Sequence, residues 1–480
     1  MKNIVTLIFI VISALTVTSC KQNQETNRVS KTAIKQEFAL PDWAKNAVIY
    51  EVNVRQFTPE GTFNSFAGHL DRIADMGVDI LWLMPIYPIS MKKRKATNDL
   101  SIEDIPNTED KSKYLGSPYA VADYKDVNPD MGTQADFRKL VDEIHNRGMK
   151  VILDYVPNHT GWDNPWITDH PEWYTQDSLG NIIDPIDPGT GKSWGWTDVA
   201  DLNYDVQEMR DAQLDAFLFW ITDMDVDGFR HDVAHNVPVD FWKEVAPKLM
   251  EAEPDVFLLA EAEVPALRNE DAFHADYGWG FHHLMNDIAK GNKNASDIDE
   301  WLITDAAKNE KGFHIHFTSN HDENTWSGTV FDRMGDAHKA LAVLAATFDG
   351  MPLIYGGQEE PLKHRLAFFT KDDIGFKDYS YSSFYKSLFD LKDSNQAIWN
   401  GEYGGDLQKL GESTNIFAFT REKNGDKVTV AINLSNETSS ITINRDNEAA
   451  IDIFTGDRIV FKSGDVLKLE PWQYIVGSLN

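Results

Sequence analysis

Short apolar runs rich in valine, isoleucine, leucine and phenylalanine recur along the middle of the chain, and longer amphipathic segments separate them. In one such segment, residues 133–148, apolar positions are spaced three or four apart and Gly148 stands where a helix C-cap is expected. Alternating strand and helix signals are typical of βα units around a parallel sheet. The pattern predicts seven strands, at residues 47–57, 79–86, 149–154, 227–232, 255–261, 313–322 and 351–357. An eighth strand is predicted near residues 276–283, and eight is the number that closes an α/β barrel.

The pattern changes towards the C-terminus. Helical signals fade after about residue 396, and short strands there alternate with turns made of Gly, Asn and Asp, as in residues 415–422 and 427–435. This is typical of a small antiparallel β domain. We therefore predict a barrel over residues 41–395 and a β domain over residues 396–480.

The N-terminus has the features of an export signal. It begins MKNIVTLIFIVISALTVTSC, with an apolar stretch from Ile4 to Val17 that is too short to span a bilayer comfortably. Its ending resembles the lipobox of bacterial lipoproteins, and Cys20 is the only cysteine of the chain. We predict a lipoprotein signal peptide over residues 1–20, lipidation at Cys20 and a polar tether over residues 21–40. The protein would then be exported and lipid-anchored in a bacterial membrane, on the periplasmic side of the outer membrane or at the cell surface; an uncleaved signal anchor is the alternative.

The composition is that of a globular protein with an acidic surface. Of the 480 residues 42% are hydrophobic, and the formal net charge is -31. A negative field of this size repels nucleic-acid phosphates and anionic headgroups, so we expect no nucleic-acid partner and favour a neutral ligand. The basic cluster MKKRK at residues 91–95 is predicted to be a solvated loop.

Four of the predicted strands end in a carboxylate: Asp154, Asp232, Glu261 and Asp322. A parallel barrel brings the C-terminal ends of its strands to one face, so these acids are expected to meet there. Arg230 lies two residues before Asp232, and therefore on the same face of its strand. Clustered carboxylates destabilise a fold unless a cation or a ligand offsets them, which makes this cluster a predicted functional site.

The residue types favour glycoside cleavage. We find no Ser-His-Asp elbow and no phosphate-binding loop, whereas a pair of carboxylates is enough to hydrolyse a glycoside. Asp232 stands beside a guanidinium and is predicted to have a lowered pKa and to act as the nucleophile. Glu261 has apolar neighbours, which favour the protonated form that an acid catalyst needs. Glu263, two residues further on, is a rival acid on the same face.

Four short motifs resemble the signatures of a known family. In chain order, these motifs resemble the four signatures of the α-amylase family, glycoside hydrolase family 13: DYVPNH (154–159), GFRHD (228–232), LLAE (258–261) and SNHD (319–322). Its auxiliary motifs resemble MGVDILWLMP, ADLN and GMPLIYGGQE, so the resemblance runs from about residue 41 to residue 360. It implies a (β/α)8 TIM barrel, a loop domain inserted after the third strand at about residues 157–200, and a C-terminal antiparallel β-sandwich.

The resemblance also implies roles for individual residues. Asp232 would be the nucleophile, Glu261 the general acid/base and Asp322 the stabiliser of the transition state. The α configuration would be retained, with the carboxyl groups of Asp232 and Glu261 about 5 to 5.5 Å apart. Arg230 would orient Asp232, and Asp154 would brace Arg230. The remaining matches would bind the sugar at the cleavage point: His159 and His321 through its hydroxyl groups, and Tyr119 by stacking.

Two positions depart from the family pattern. His235 and Asn236 stand where many α-amylases have Lys and then His, a pair that lines the product side and helps to define a calcium site. His235 stays a candidate substrate contact, and the leaving-group specificity is open. Asn158 matches a calcium ligand of the family. The chemistry needs no cofactor, and a structural calcium is left open because the sequence shows no complete set of oxygen ligands.

The leading interpretation is a retaining α-glucan hydrolase that cleaves α-1,4-glucosidic bonds in starch or maltodextrins through a covalent glycosyl-enzyme intermediate. A cyclodextrinase, neopullulanase or glucanotransferase of the same family is the nearest alternative, and a non-catalytic glycan-binding protein is the alternative from another class. His314 and His316 share a strand face, which leaves a metal-dependent barrel hydrolase as a further hypothesis. The Trp-rich segment from Gly161 to about Asp198 suits a substrate-covering loop domain, although most of its indoles are expected to pack inside.

Overall fold

The computed structural model describes residues 38–187 and 189–479. Ten strands of these ranges precede residue 356: β1 (Ile49–Val52), β2 (Ile80–Leu83), β3 (Lys150–Tyr155), β4 (His159–Gly161), β5 (Val199–Asp201), β6 (Gly228–His231), β7 (Phe257–Ala260), β8 (Ala275–Tyr277), β9 (Phe313–Phe317) and β10 (Met351–Tyr355). Eight of them close a parallel barrel in the order β1-β10-β9-β8-β7-β6-β3-β2, while β4 and β5 form an antiparallel pair. The predicted (β/α)8 barrel is therefore confirmed.

Helices surround the barrel. In the described ranges the α-helices are α1 (Val54–Phe57), α2 (Phe63–Ala67), α3 (Leu70–Asp75), α4 (Thr108–Lys111), α5 (Gln134–His145), α6 (Trp166–Asp169), α7 (Gln207–Thr222), α8 (Val239–Ala252), α9 (Pro265–Asn269), α10 (Trp279–Ala289), α11 (Ala295–Ala306), α12 (Val330–Met334), α13 (His338–Thr347) and α14 (Ser382–Ser394). Among these described residues, no helix is long and apolar enough to cross a membrane.

The helix α5 shows how the sequence builds one βα unit. Thr133 and Asp136 form a reciprocal capping box at its start, which satisfies backbone donors that the first turn leaves unpaired. Gly148 follows its end with a φ of 78°, a left-handed conformation that suits glycine. The helix buries the stripe that its apolar spacing predicts: Phe137, Leu140, Val141 and Ile144.

Most predicted strands are longer than the observed ones, and three of them run at least five residues past the observed strand end. The run at residues 47–57 leaves the strand conformation after Val52, where the Asn53 side chain caps α1. The run at residues 313–322 is a strand only to Phe317. The run at residues 276–283 is a strand only to Tyr277, and α10 follows it from Trp279. The reason is that apolar residues beyond Gly278 are spaced as in a helix, with Phe281, Met285 and Ile288 buried.

Close contact between β6 and β7 depends on a glycine. A Cβ atom added to Gly228 would lie 2.1 Å from the carbonyl oxygen of Phe257, so no larger residue fits without moving the strands apart. Two residues further along β6, the Arg230 side chain is fully buried inside the barrel together with Trp82 and Tyr277. The strand pairing thus fixes where the charged end of Arg230 lies.

The loop domain follows β3, as predicted, and contains the pair β4 and β5. Three of its five tryptophans pack in the interior, as expected of most of them: Trp173 is buried, and Trp162 and Trp166, although partly exposed, pack against the same hydrophobic core. Trp194 is exposed by 43%, and Trp196 is partly exposed.

The C-terminal part is an antiparallel β domain, as predicted. Its strands are β11 (Gln408–Lys409), β12 (Ile416–Lys423), β13 (Asp426–Asn433), β14 (Ser439–Thr442), β15 (Ala450–Asp452), β16 (Arg458–Ile459), β17 (Val466–Leu469) and β18 (Tyr474–Ser478). Six form one sheet in the order β11-β12-β13-β18-β15-β16, and β14 pairs with β17 in a second sheet. A separate hydrophobic cluster that includes Leu410, Ile416, Ile441 and Leu469 draws residues from both sheets. The predicted signal peptide, Cys20 and most of the tether lie outside the described residues.

Candidate active site

A cavity of about 300 Å³ opens at the C-terminal ends of the barrel strands. Its wall contains the three acids that the sequence predicts to be catalytic, Asp232, Glu261 and Asp322. Three predicted sugar contacts line it as well: Tyr119, His159 and His321. The barrel therefore brings together, in one cavity, residues that lie up to 203 positions apart in the chain (322 minus 119).

Arg230 is the centre of the charged network beneath the cavity. Its Nη1 donates to Asp154 Oδ1 at 2.7 Å and to Asp232 Oδ1 at 3.0 Å. Its Nη2 lies 2.9 Å from Glu261 Oε1, close enough for an ion pair although the angle is not that of a hydrogen bond. Nε donates to the Tyr277 hydroxyl at 3.1 Å. One guanidinium thus serves three buried carboxyl groups.

Burial and repulsion between acids set the charge of this network. Burial raises the pKa of Asp232 well above its usual range, and the negative charge of Glu261 raises it further, although Arg230 opposes both effects. Burial likewise raises the pKa of Asp154 to about 6. The predicted lowering of the Asp232 pKa is therefore wrong: the sequence showed the adjacent guanidinium but neither the desolvation nor the sharing of that charge.

Glu261 is held by the backbone that follows Asp232. The Val233 amide donates to Glu261 Oε2 at 2.7 Å. To aim this amide, Val233 adopts a left-handed conformation with φ 35° and ψ 45°, which is costly for a β-branched residue. One oxygen of Glu261 therefore accepts a hydrogen bond while the other lies beside the Arg230 guanidinium, and together these contacts fix its position relative to Asp232.

His321 carries a positive charge at the opposite side of the site. Its Nδ1 lies 2.5 Å from Glu51 Oε1, and its Nε2 lies 2.7 Å from the Tyr119 hydroxyl and 3.4 Å from Asp322 Oδ2. Burial alone would lower the pKa of His321, but the charges of Asp322 and Glu51 outweigh it and raise the pKa to about 9. The Tyr119 hydroxyl in turn donates to Asp154 Oδ2 at 3.0 Å. Tyr119 thus links the His321 group to the Arg230 group.

His159 differs from His321 in charge. Burial lowers its pKa to about 3, so the ring is neutral and can both donate and accept a hydrogen bond. The ring lies 5.8 Å from that of Trp196, centroid to centroid, at the wall of the cavity.

Two other sequence candidates lie at the edge of the site or outside it. His235 is exposed, and its Nδ1 lies 3.4 Å from the Glu261 carbonyl oxygen, next to the acid but outside the cavity lining. Glu263 accepts from the Gly280 amide at 2.8 Å and also lies outside the lining. Since β7 ends at Ala260, strand parity no longer applies to Glu263, and the expectation that it shares a face with Glu261 is wrong.

The described residues give little support to a metal site. Asn158 Nδ2 lies 3.2 Å from His159 Nδ1, and no carboxylate contact of this side chain is seen among the described residues. In these ranges, three acidic or histidine side chains with suitably close ligand atoms occur at Glu263, Asp305 and His314. There the His314 nitrogens already face Asp276 Oδ1 at 2.6 Å and Asp305 Oδ1 at 2.9 Å. Both ring nitrogens are thus occupied by carboxylate neighbours and leave no side of the imidazole open to a metal, so this group does not fit one.

His316 belongs to no cluster of possible metal ligands in the described ranges. Burial lowers its pKa to about 3, and its Nε2 lies 2.7 Å from the Asp349 carbonyl oxygen. Both histidines of the pair thus have structural partners, which removes the reason for the metal-dependent hypothesis.

Several cavity residues were missed by sequence reasoning. Lys95 belongs to the basic cluster that was predicted to be solvated, yet it is buried, donates to the Gly195 carbonyl oxygen at 2.6 Å and lies 4.0 Å from Asp198 Oδ1. Of the other residues in that cluster, Met91, Lys92 and Lys93 are exposed as predicted, whereas Arg94 is partly buried and donates to the Tyr114 carbonyl oxygen at 2.6 Å. Further missed lining residues, from segments whose sequence shows no strand or helix pattern, include Ser117, Trp196, Trp326, Phe368 and Phe369.

Comparison with known proteins decides the family. The sequence matches the family model described as "Alpha amylase, catalytic domain" over residues 23–181 and 192–387. The chain belongs to the α-amylase family. The match confirms the family that the four motifs resemble.

Named relatives agree with this family. Alpha-amylase MalA of Haloarcula japonica is 27% identical over 435 residues, which cover 85% of this chain but only 58% of that protein. A cyclomaltodextrinase of Thermoanaerobacter pseudethanolicus is 24% identical, covering 91% of this chain and 78% of its own length. The crystal structure of an alpha-amylase from Lactobacillus plantarum is 28% identical with a TM-score of 0.76, covering 91% of this chain and 99% of that one. The protein is accordingly a glycoside hydrolase.

Proposed function

We propose that this α-amylase family protein hydrolyses α-1,4-glucosidic bonds in starch or maltodextrins with retention of configuration. The observation that carries the proposal is the single cavity in which Asp232, Glu261 and Asp322 meet above one buried guanidinium. Two carboxyl groups of different protonation are what a retaining glycosidase needs, one as nucleophile and one as acid.

In the first step, the ionised carboxylate of Asp232 attacks the anomeric carbon while Glu261 gives its proton to the glycosidic oxygen. The bond to the leaving sugar breaks, and a glycosyl ester forms on Asp232. Burial and mutual repulsion favour one retained proton shared by Asp232 and Glu261, and the reaction proceeds from the form in which Glu261 holds that proton and Asp232 is ionised beside Arg230. The Val233 amide, which donates to Glu261 Oε2, keeps the Glu261 carboxyl group in position beside Asp232.

In the second step, the Glu261 carboxylate takes a proton from water, the resulting hydroxide attacks the anomeric carbon, and Asp232 leaves. Arg230 stabilises the negative charge that returns to Asp232, and Asp154 keeps Arg230 in place through its 2.7 Å hydrogen bond. His321, as an imidazolium, and the neutral His159 hold hydroxyl groups of the sugar, which Tyr119 supports from one side. Asp322 stabilises the positive charge that develops on the ring.

The test uses soluble starch, pullulan and cyclodextrin as substrates for wild type and Asp232→Asn. We expect turnover by wild type, a loss of at least about 1,000-fold in the variant, and α-anomeric products by NMR. Asp240→Asn, an exposed acid on α8, is the control and should retain full activity. Equal inactivity of wild type and Asp232→Asn, with binding to starch retained, would replace the proposal by a non-catalytic glycan-binding protein.

The same panel tests the nearest alternative, a cyclodextrinase, neopullulanase or glucanotransferase of the same family. One of the relatives is named a cyclomaltodextrinase. Preferential turnover of cyclodextrin or pullulan would identify a cyclodextrinase or neopullulanase. Lengthened oligosaccharide products would identify a glucanotransferase, in which a second sugar rather than water takes the glycosyl group.

Two further proposals concern features that take no part in the reaction, a lipid on Cys20 and a structural calcium near Asn158. A lipid on Cys20 would anchor the enzyme to the membrane of an exporting bacterium, and we expect Cys20→Ala to move it from the membrane to the soluble fraction; unchanged membrane association would refute this. A structural calcium near Asn158 is the second. We propose that the fold does not depend on one, because the Asn158 side chain contacts His159 Nδ1 and shows no carboxylate contact among the described residues. We expect dialysis against EDTA to leave the melting temperature unchanged, and a fall that calcium alone restores would contradict this proposal.

A further inference from the structure

A short π-helix follows directly after Asp322 and carries an exposed tryptophan. The π-helix spans Glu323–Ser327, and its Trp326 is 53% exposed although it lines the same cavity as the catalytic acids. Helices of this kind are rare and often occur at functional sites. No local pattern singles out Trp326, which lies four residues beyond the SNHD motif.

The π-helix is fixed to the loop that follows β10. Arg365 donates through Nη2 to the Trp326 carbonyl oxygen at 2.8 Å and through Nε to that of Thr325 at 2.8 Å. The Asn324 side chain accepts from the Leu366 amide at 2.8 Å. On the barrel side, Glu323 lies 3.3 Å from Arg333 Nη1. Trp326 is thus held in an exposed position by side chains on both sides of the π-helix.

Trp326 begins a row of aromatic rings that reaches the catalytic centre. Its ring centroid lies 5.0 Å from that of Phe368, which lies 6.2 Å from Tyr119 with an interplanar angle of 1°. The Tyr119 ring in turn stacks on His321 at 5.6 Å. Indole surface left in water at the rim of a cavity costs free energy, so a fixed and exposed tryptophan there marks a binding surface.

The row of rings ends on Tyr119 and His321, whereas Glu261 has other neighbours. In the proposed reaction the departing sugar is protonated by Glu261, whose contacts are Arg230, the Val233 amide and His235. Trp326 instead contacts Phe368, whose ring is parallel to that of Tyr119. In the proposed reaction Tyr119 supports the sugar that forms the covalent intermediate. A ring resting on Trp326 would therefore be the next sugar on the glycone side.

We propose that Trp326 is the stacking platform for the second glycone-side glucose of an α-glucan, and so determines how many sugars are released from the non-reducing end. The apolar C–H face of a pyranose would cover the exposed indole surface, while its hydroxyl groups stay in water. This inference rests on the proposed α-glucan hydrolysis and adds a specificity residue to it.

The decisive measurement is the frequency with which each bond of reducing-end-labelled maltopentaose is cleaved. In Trp326→Ala we expect cleavages that place two or more glucoses on the glycone side to fall about tenfold relative to the cleavage that places one. Trp326→Phe should retain most of the wild-type ratio because a smaller ring still stacks. The ratio is taken within one substrate, so a loss of folded enzyme does not change it. Leu179→Ala, which removes another exposed apolar side chain, is the control and should leave the ratio unchanged.

A second measurement separates this inference from the proposed hydrolysis. Maltopentaose is titrated by calorimetry against Asp232→Asn and against the double variant Asp232→Asn/Trp326→Ala, and we expect the dissociation constant of the double variant to rise about tenfold. An unchanged cleavage ratio with active wild type, or an unchanged dissociation constant, would overturn the role of Trp326. If wild type cleaves no glucan while Trp326→Ala still weakens binding, the hydrolysis fails and the sugar platform stands.

Discussion

Arg230 is the residue on which the charge balance of the site depends. It is fully buried and stands within 3.0 Å of oxygens from Asp154, Asp232 and Glu261. Arginine suits this position because its planar fork presents several donors at fixed angles, whereas lysine offers one compact ammonium group. A lysine at position 230 would carry the same charge but would not orient the three carboxyl groups.

Replacing Arg230 by lysine tests this at the residue scale. We expect kcat on starch to fall by at least about 100-fold, because carboxylates lose the donors that orient them. The free energy of unfolding in urea should fall by about 3 kcal/mol, since buried charges lose their partners. Arg138→Lys changes an exposed pair with Asp225 and should alter stability by less than about 0.5 kcal/mol. Wild-type kcat in Arg230→Lys would contradict the role assigned to the guanidinium fork.

The acids were predictable from the sequence, but their protonation was not. Asp232 could be placed at a strand end next to Arg230 from the two-residue alternation of a strand. Its raised pKa comes from burial and from Glu261, which lies 29 positions further along the chain (261 minus 232). Desolvation depends on everything that covers a group, so a local pattern cannot supply it.

His314 connects elements of the barrel through a charged hydrogen-bond group. It lies on β9 and faces Asp276 on β8 and Asp305 on α11, with Arg268 of α9 close to Asp276 at 3.0 Å. Burial alone would lower the pKa of His314, but the hydrogen bonds with Asp276 and Asp305 outweigh it and raise the pKa to about 9. The positively charged imidazole thus links β8, which carries Asp276, to α11, which carries Asp305.

This raised pKa predicts a pH-dependent contribution to stability at the element scale. Because the folded value exceeds the unfolded value near 6.5, the stabilisation is complete below about pH 6.5 and is lost as the pH rises through about 9. We expect the difference in unfolding free energy between wild type and His314→Gln to be constant at pH 5 to 6 and to shrink by about 3 kcal/mol at most between pH 6.5 and 9. His170→Gln, which removes one partner of an exposed pair with Glu172, is the control and should change the unfolding free energy by less than about 0.5 kcal/mol. A difference that grows with pH would contradict the assignment.

At the same scale, the sequence determined which segments are strands and helices better than where they end. The barrel strands follow apolar runs because burial on both faces requires them. The ends are decided by local competition, as at Asn53, whose side chain caps α1 and stops β1. The segment after Gly278 is apolar enough for a strand, but its helical spacing buries Phe281 and Met285 when it forms α10.

The whole molecule is held together partly by a buried arginine of the C-terminal domain. Arg421 on β12 donates to the Phe348 carbonyl oxygen at 2.6 Å, just beyond α13 of the barrel, and to the Gly405 carbonyl oxygen at 2.7 Å. It is almost fully buried. The link satisfies backbone carbonyl groups that would otherwise be covered without a partner.

We therefore expect Arg421→Met to destabilise the whole protein. The free energy of unfolding should fall by about 3 kcal/mol because several buried carbonyl groups lose their donor. Activity per folded molecule should be unchanged, since Arg421 lies outside the cavity lining. Arg445→Met, an exposed arginine of the same domain, is the control and should change stability by less than about 0.5 kcal/mol. Normal stability of Arg421→Met would show that the link contributes little.

The sequence by itself determined the barrel, the C-terminal β domain and the four acids at strand ends, because each depends on periodicity or on the end of a local apolar run. Only the tertiary structure decided what surrounds those acids. Glu51 reaches His321 from β1, while Lys95 and Trp326 reach the cavity from a basic loop and a π-helix, and no local pattern marks these three side chains as parts of a site. Their positions follow from strand pairing in the barrel and from loop packing over its face, which are set by contacts between residues distant in the chain.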